Sequence, residues 1–297
     1  MYYYRIYGEK VESDIDFPQL VSDSTDSKPT IRIMRRKTSD EILKQMESSY
    51  TVTGEKESWF YNSTLRCVIT NSENIYYEPF ENINEQYLRT YILGYGLSML
   101  FLQKGRLAFH GSCIRKDDKA IIISGVSGAG KSTLTSKFLS SDYEFMADDI
   151  TVVDCNDKEV SAYPGFPYQK LCRDVVEKKQ LDKDDLIYID EDKDKYLAKW
   201  DGTYSTDGAK LTTLVVILVG DKDSKLTIEK ANGVEKLQYV LNNLFLKKRI
   251  LFQDSNPKLI QLCLDVASKI DIIVVSRPYG ADSVDEQFRL IEDAMIK

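Results

Sequence analysis

The chain has 297 residues, of which 42% are hydrophobic and 29% charged, with a formal net charge of −7. This length is enough for one large or two modest domains with a proper core, and the acidic balance argues against nucleic acid as the main partner. Its 5 scattered cysteines, without a CxxC pair, indicate neither a disulfide framework nor a zinc site. The polar opening segment lacks a signal-peptide pattern, so we expect a cytoplasmic protein.

The first hundred residues alternate short runs rich in aromatic and branched side chains with polar turns, a pattern typical of β-strands. A helix is predicted from Asn84 onward, because apolar residues then recur at helical spacing. The apolar run 91–102 is too short to cross a membrane and predicts a buried helix, with no membrane partner. Together these features predict an N-terminal β-rich α+β domain over 1–104. Its predicted strands lie at 2–8, 31–36, 59–63, 64–70 and 75–80.

From residue 105 the pattern changes to strands alternating with helices, which predicts an α/β domain over 105–297 with helices packed on a mixed or parallel sheet. An acidic run with interspersed lysines, 182–195, predicts a solvated surface loop, with a lid over a nucleotide as the alternative. The predicted strands of this domain include 120–124, 214–219 and 270–275, and the predicted helices are 131–139, 234–245 and one that begins near 283.

Residues 125–132, GVSGAGKS, fit the phosphate-loop pattern G-x-x-x-x-G-K-[ST], between a predicted strand and a predicted helix. Glycines let the backbone N–H groups curl toward phosphate oxygens, and the helix adds the positive end of its dipole. Lys131 would bridge the β- and γ-phosphates, and the Ser132 hydroxyl would ligate magnesium. The predicted nucleotide contacts are Gly125, Val126, Ser127, Gly128, Ala129, Gly130, Lys131, Ser132 and Thr133.

Two adjacent carboxylates, Asp148 and Asp149, follow the phosphate loop after a single helix and turn. One carboxylate beside a triphosphate can approach the metal while the other accepts a proton from an attacking hydroxyl. The simpler alternative is that one of them only caps a turn. His110, the only histidine of the chain, precedes the loop, and by itself a lone histidine is more often structural than functional.

Three pieces of sequence resemble the HPr kinase/phosphorylase superfamily of bacterial serine kinases, whose nucleotide core is related to phosphoenolpyruvate carboxykinase. They are His110-Gly111, the loop 125–132 and Ala147-Asp148-Asp149, in the same order and at similar intervals. The resemblance covers only about 108–153. It implies an α/β fold with a P-loop kinase core of the HPr-kinase and PEP-carboxykinase type, with ATP and Mg as cofactors.

The same resemblance implies a role for each matching residue. Asp149 would be the general base that deprotonates an acceptor serine, while Lys131 and Ser132 hold phosphate and magnesium. His110 would lie near the transferred phosphoryl group, and Asp148 would support the metal. The family's further acidic metal ligand and its dephosphorylation loop have no recognisable counterpart here, which predicts a one-way kinase. Candidate contacts to phosphates or to an acidic acceptor are Lys170, Arg173, Lys195 and Arg277.

The opening segment 4–20, YRIYGEKVESDIDFPQL, is similar to the start of HPr-kinase-like proteins associated with peptide natural products, notably the lasso-peptide tailoring kinases. This likeness implies a peptide or protein acceptor serine, with a ribosomally made precursor peptide preferred. Two alternatives stay open: a small-molecule kinase similar to adenylylsulfate kinase, and a non-catalytic nucleotide-regulated binding protein. Whether the chain forms a homo-oligomer is also left open.

Overall fold

The computed structural model describes residues 1–24, 26–190, 194–247, 257–280 and 282–296. It has a mixed α/β fold, and the chain forms two compact units. Unit 1 contains Met1–Arg106 and Phe166–Trp200, together with the described part of Leu246–Asn256. Unit 2 contains Leu107–Gly165, Asp201–Phe245 and Pro257–Lys297. The predicted domain bounds, 1–104 and 105–297, stay a prediction.

Unit 1 is built on a sheet with the order β3-β1-β2-β4-β8-β7-β6-β5. The pairs β2–β4 and β4–β8 are parallel, and the other neighbours are antiparallel. Alternating burial along the strands, as in Ile31 and Ile33 of β4, gives the sheet one face that packs into a core. The strands are β1 Tyr2–Ile6, β2 Glu9–Ser13, β3 Val21–Ser22, β4 Ile31–Arg35, β5 Thr51–Val52, β6 Glu57–Tyr61, β7 Leu65–Thr70 and β8 Asn74–Pro79.

Helices cover this sheet, and their caps explain where they begin. The side chain of Ser39 accepts from Ile42 N at the start of α1 (Asp40–Met46), and Asn84 accepts from Gln86 N at the start of α2 (Glu85–Tyr91). A π-helical stretch, Ile92–Gly96, connects α2 to α3 (Leu97–Gln103). The predicted helix from Asn84 and the buried helix over 91–102 are confirmed. No helix among the described residues is long and apolar enough to cross a membrane.

Residues 166–200 add a small antiparallel sheet to unit 1, with the order β14-β16-β15. The elements of this segment are β14 Tyr168–Cys172, α5 Arg173–Lys178, a 3-10 turn Lys183–Asp185, β15 Ile187–Asp190 and β16 Lys195–Lys199. Part of 182–195, predicted to be a solvated loop, is therefore strand, because Ile187 pairs with Leu197 and Tyr188 with Tyr196. Residues 191–193 of that run lie outside the described residues.

Unit 2 contains a sheet with the order β10-β9-β12-β13-β17-β19-β18, in which β11 also pairs with β9. Because β10 also pairs with β17, successive pairings from β10 through β9, β12, β13 and β17 return to β10. The pairs β10–β17 and β17–β19 are parallel. The strands are β9 Leu107–Lys116, β10 Lys119–Gly125, β11 Glu144–Ala147, β12 Ile150–Cys155, β13 Val160–Tyr163, β17 Ala209–Val219, β18 Thr227–Lys230 and β19 Asp271–Arg277.

Helices pack on the parallel strands, as the alternation of strands and helices predicted. The apolar face of α4 places Leu134 and Phe138 in a core with Ile123, Val275 and Ile291, all at most 1% exposed. Phe138 also contacts Phe288 edge-on, with ring centroids 4.8 Å apart. The described helices are α4 Lys131–Leu139, α6 Val234–Asn242, α7 Pro257–Lys269 and α8 Val284–Ile296.

One predicted helix boundary is wrong: α6 ends at Asn242, not at residue 245. Asn243 leaves the helical conformation, with φ −107° and ψ 8°. The next residues pair with β9 instead, through a bridge between Phe109 and Leu244 and a hydrogen bond from Phe245 N to Ala108 O of 2.8 Å. Leu244 and Phe245 are apolar, as a buried helix or a buried extended segment requires. Helical periodicity therefore did not show that the helix ends before them.

Replacing Gly111 of β9 by Ala is expected to lower the free energy of unfolding. A Cβ at this position would lie 2.7 Å from Ile123 O, and backbone on a paired central strand moves little. Overpacking of this kind costs about 1–3 kcal/mol. Denaturant unfolding measures the loss, with Gly96→Ala as the control, since that Cβ meets nothing closer than 3.6 Å. Equal stability of the two variants would contradict the close approach.

Candidate functional site

The phosphate-loop sequence lies between β10 and α4, as its pattern predicted. Gly125, Gly128 and Gly130 have φ of +151°, +81° and +99°, values that other residues rarely adopt. At Gly125 a side chain is also excluded by space, because a Cβ would lie 2.7 Å from Ile217 O. The local backbone is thus the glycine-dependent turn that a phosphate cradle requires, followed directly by a helix N-terminus.

Lys131, the first residue of α4, points back onto the loop. Its Nζ donates to Gly125 O at 2.8 Å and to Val126 O at 3.2 Å. The ammonium is therefore held over the turn, where it would meet an oxyanion bound by the loop N–H groups. The rim is open to solvent, since Val126 is 67% exposed.

The remaining predicted nucleotide contacts divide by burial. Ser127, Gly128 and Thr133 are exposed, Gly130 and Ser132 are half-buried, and Ala129 is fully buried. Ala129 therefore anchors the loop in the core, while its neighbours face the space that a ligand would enter. Ser132 is the second residue of α4, the position from which its hydroxyl would reach a metal beside the phosphates.

Arg277, at the end of β19, braces this loop. Its guanidinium donates to Ala129 O at 2.8 Å, Gly128 O at 3.3 Å and Pro278 O at 3.1 Å. The sequence predicted a contact from Arg277 to phosphate or acceptor, and the structure places it against the loop carbonyls. The planar fork of arginine suits this task, because it presents several donors in a fixed geometry.

Replacing Arg277 by Gln is expected to weaken nucleotide binding about tenfold, because one amide cannot serve three carbonyls and the loop loses its brace. Isothermal titration with ATP and magnesium measures the effect. Arg289→Gln is the matched control, since Arg289 lies on the exposed face of α8 and pairs only with the exposed Asp293 among the contacts described. Unchanged affinity in the Arg277 variant would show that the loop holds its shape without this side chain.

The acidic pair lies in the short connection between β11 and β12. Asp149 has a φ of +66°, a left-handed conformation that costs energy for a residue other than glycine, although Asp and Asn are enriched there. Its carbonyl accepts from Gly111 N at 3.2 Å. Asp148 Oδ1 accepts from the Ser112 hydroxyl at 2.5 Å, so both residues of the pair are fixed to β9.

His110 lies beside Asp149. Its Nδ1 is 3.7 Å from Asp149 Oδ1, and the two side chains are 40% and 24% exposed. An ion pair between these groups requires a protonated imidazole, because the neutral ring carries no charge. The ring also lies near Phe245, with ring centroids 6.0 Å apart. The pair is accessible to a ligand and is not buried in the core.

Strand β9 brings these parts together. His110 is opposite Ile150 of β12, the residue that follows the acidic pair, and Gly111 is opposite Ser124, the residue that precedes the phosphate loop. The acidic pair and the phosphate loop, which a helix and a turn separate in the sequence, thus adjoin neighbouring residues of β9. The arrangement brings His110 and the acidic pair to the strand that adjoins the start of the loop sequence 125–132.

Three polar residues of this region were missed by the sequence analysis. Ser112 holds Asp148, Ser124 lies 2.6 Å from His110 O, and Asn243 lies 2.7 Å from Ser124. A serine that ends the apolar run of β10 was a usable signal, because a polar side chain in such a place needs a partner. Asn243 gave no signal, since its contacts cross more than a hundred residues of sequence.

A cysteine of β9, Cys113, also lies near the acidic pair. It is fully buried, its Sγ is 3.7 Å from Met146 Sδ, and burial raises the pKa of its thiol. A buried thiol with a raised pKa is a poor nucleophile. Cys113 therefore belongs to the core and not to the reactive groups of the site.

Three predicted phosphate or acceptor contacts, Lys170, Arg173 and Lys195, lie in unit 1. Lys170 is on β14, opposite Leu197, and Lys195 is on β16, opposite Cys172. Arg173 begins α5 and forms an ion pair of 2.5 Å with Asp194. Their role toward a phosphate stays a prediction.

The residues present suit a magnesium ion that binds together with a nucleotide. Magnesium prefers hard oxygen ligands and usually combines one or two carboxylates with phosphate oxygens and water. Asp148 and Ser132 offer a carboxylate and a hydroxyl for this purpose. Among the described residues no group of three or more His, Cys, Asp or Glu side chains could hold a metal. Phosphate oxygens would therefore complete the coordination.

Comparison with solved structures finds a distant likeness. No family model matches the chain, and no curated protein matches it. The structure is similar to that of the Hpr(Ser) kinase/phosphatase from Coxiella burnetii, with a TM-score of 0.33 and 10% sequence identity. The match covers 64% of this chain and 90% of the other. A likeness of this size assigns neither a family nor an activity.

Proposed function

We propose that the protein is an ATP- and magnesium-dependent kinase that transfers the γ-phosphate to a serine hydroxyl of a peptide or protein. The observation that carries the proposal is the position of His110 on β9, the strand that pairs with β10 up to the start of the phosphate loop, with its Nδ1 3.7 Å from Asp149 Oδ1. A phosphate cradle alone would support binding only. A carboxylate and an imidazole beside it add the groups that an acceptor hydroxyl requires.

In the proposed reaction, Asp149 accepts the proton of the acceptor hydroxyl as the serine oxygen attacks the γ-phosphorus. The new bond joins this oxygen to phosphorus, the bond from phosphorus to the β,γ-bridging oxygen breaks, and ADP leaves with that electron pair. Positioning and charge neutralisation supply most of the rate enhancement in phosphoryl transfer. The fixed backbone of Asp149, with its left-handed φ, supports such positioning.

The other residues would bind and orient. Lys131 would turn from the loop carbonyls to the phosphate oxygens, and Ser132 with Asp148 would hold magnesium, which neutralises phosphate charge when bound. His110, next to Asp149, would orient the carboxylate or neutralise charge on the transferred group. The hydrogen bond from Ser112 keeps one oxygen of Asp148 in a fixed place.

The acceptor class is supported by sequence resemblance alone. Segment 4–20, which resembles the start of lasso-peptide tailoring kinases, forms β1 and β2 of unit 1 and the turn after them. We therefore propose a ribosomally made precursor peptide as the preferred acceptor, with other proteins as the broader class. The direction of transfer is proposed to be one-way.

Transfer from γ-labelled ATP tests the proposal. The protein is incubated with labelled ATP, magnesium and a lysate of the native cells, and the products are fractionated by size, with Asp149→Asn as the control. Label in a peptide or protein only with the unaltered enzyme would support the proposal and identify the acceptor. Label in a small metabolite would instead indicate a small-molecule kinase. ATP binding without any transfer would indicate a nucleotide-regulated binding protein.

A further inference from the structure

A buried polar contact joins three parts of unit 2 that the sequence keeps apart. The Asn243 side chain follows α6, Ser124 ends the apolar run of β10, and His110 lies on β9. Asn243 Nδ2 donates to Tyr239 O at 2.7 Å, which fixes the amide so that Oδ1 faces Ser124 at 2.7 Å. Ser124 and Asn243 are 1% and 9% exposed.

Both backbone polar groups of His110, the N–H and the carbonyl, bond to these residues. Its N–H donates to Asn243 O at 2.8 Å, and its carbonyl accepts from the Ser124 hydroxyl at 2.6 Å. A bridge between Phe109 and Leu244 and the hydrogen bond from Phe245 N to Ala108 O extend the pairing along β9. Residues 243–245 thus take the place beside β9 that β10 leaves when it turns into the phosphate loop.

The Ser124 hydroxyl has one proton and two acceptors within reach, His110 O and Asn243 Oδ1. Loss of Ser124 takes this donor away from the buried Asn243 Oδ1, which is costly away from water, and loss of Asn243 leaves His110 O as the acceptor of the hydroxyl proton. The contact therefore has few alternative arrangements. It links the orientation of His110 to the strand that carries the cradle.

We propose that Asn243 is a positioning residue that fixes His110 relative to Asp149 and to the start of the phosphate loop. It touches neither the reacting atoms nor a phosphate; it acts through the backbone of His110 and through Ser124. Its effect on phosphate transfer rests on the proposed kinase function. Its effect on the His110 ring does not, so the two can be tested separately.

The first test is NMR of the imidazole signal in the full-length protein labelled on histidine. Because His110 is the only histidine of the chain, its ring gives a single Cε1–H resonance. Asn243→Ala is expected to shift or broaden this resonance. Asn242→Ala is the matched control, because the neighbouring Asn242 is exposed at the end of α6, and it should leave the resonance in place.

Ser124→Ala is the second variant, and it keeps the proposal testable if Asn243→Ala fails to fold. It removes the shared hydroxyl and should shift the same resonance. An unchanged His110 signal in a folded Asn243 or Ser124 variant would overturn the proposal, whether or not the protein is a kinase.

The second test measures transfer from γ-labelled ATP once an acceptor is known. Displacement of a supporting residue typically costs about 10- to 100-fold in activity. We expect Asn243→Ala to lower kcat by this factor while the KM for ATP stays within about threefold, since the loop itself is intact. A rise in KM at unchanged kcat would overturn the positioning role. Absence of transfer in the unaltered protein would count against the proposed function and leave the NMR result as the test of Asn243.

Discussion

Replacing Asp149 by Asn is expected to lower phosphate transfer by about 10²- to 10⁴-fold, the usual contribution of a general base. The amide cannot accept the proton of the acceptor hydroxyl in the way that a carboxylate does. Asn also tolerates the left-handed backbone, so the φ of +66° at this position should persist and the fold should survive. Transfer from γ-labelled ATP measures the loss, and titration with ATP should show nearly unchanged binding.

Asp154→Asn is the matched control for this variant. Asp154 lies on β12, the strand that follows the acidic pair, and its side chain is exposed. It should transfer phosphate at the rate of the unaltered protein. If Asp149→Asn retained this rate as well, the general base would lie elsewhere, and the left-handed turn at Asp149 would be structural.

Replacing Lys131 by Ala is expected to weaken ATP binding by about 10- to 150-fold, because a hydrogen bond to a charged group contributes about 1.5–3 kcal/mol. Lys131 Nζ lies over the loop, at 2.8 Å from Gly125 O. Its removal takes away the positive charge that would meet the β- and γ-phosphates. Isothermal titration with ATP and with ADP measures the change, and the loss should be larger for ATP, which carries the γ-phosphate.

Lys119→Ala is the control for charge alone. Lys119 is exposed at the start of β10, the strand that leads into the same loop. Its removal changes the net charge equally but should leave ATP affinity unaltered. Equal losses in the two variants would show that the lysine acts through the general field of the protein and not through contact with phosphate.

Local chemistry explains why the phosphate loop was predictable from sequence. The glycines at 125, 128 and 130 adopt backbone angles that other residues avoid, and α4 begins and ends at the predicted residues, Lys131 and Leu139. The predicted strands of unit 1 at 2–8, 31–36, 64–70 and 75–80 also correspond to β1, β4, β7 and β8. In each case the preference is set by residues within a few positions of one another.

Strands with weaker local signals were missed. The short strands β3 and β5 contain two residues each, and β15 lies in an acidic run that is typical of solvated loops. Such segments become strands because a partner strand satisfies their backbone groups, as Tyr196 does for Tyr188. Strand propensity depends strongly on that context, so composition alone predicts it poorly.

The sequence by itself determined the glycine-dependent turn at 125–130 and the helix that follows it, and a family resemblance implied candidate roles for Lys131, His110, Asp148 and Asp149. Only the tertiary structure decided that β9 sets His110 beside Asp149, that Arg277 braces the loop and that Asn243 ends α6 to hold His110. The physical reason is the range of the interactions. Backbone conformation follows from neighbouring residues, whereas the contacts of Arg277 with the loop and of Asn243 with His110 and Ser124 join residues more than a hundred positions apart.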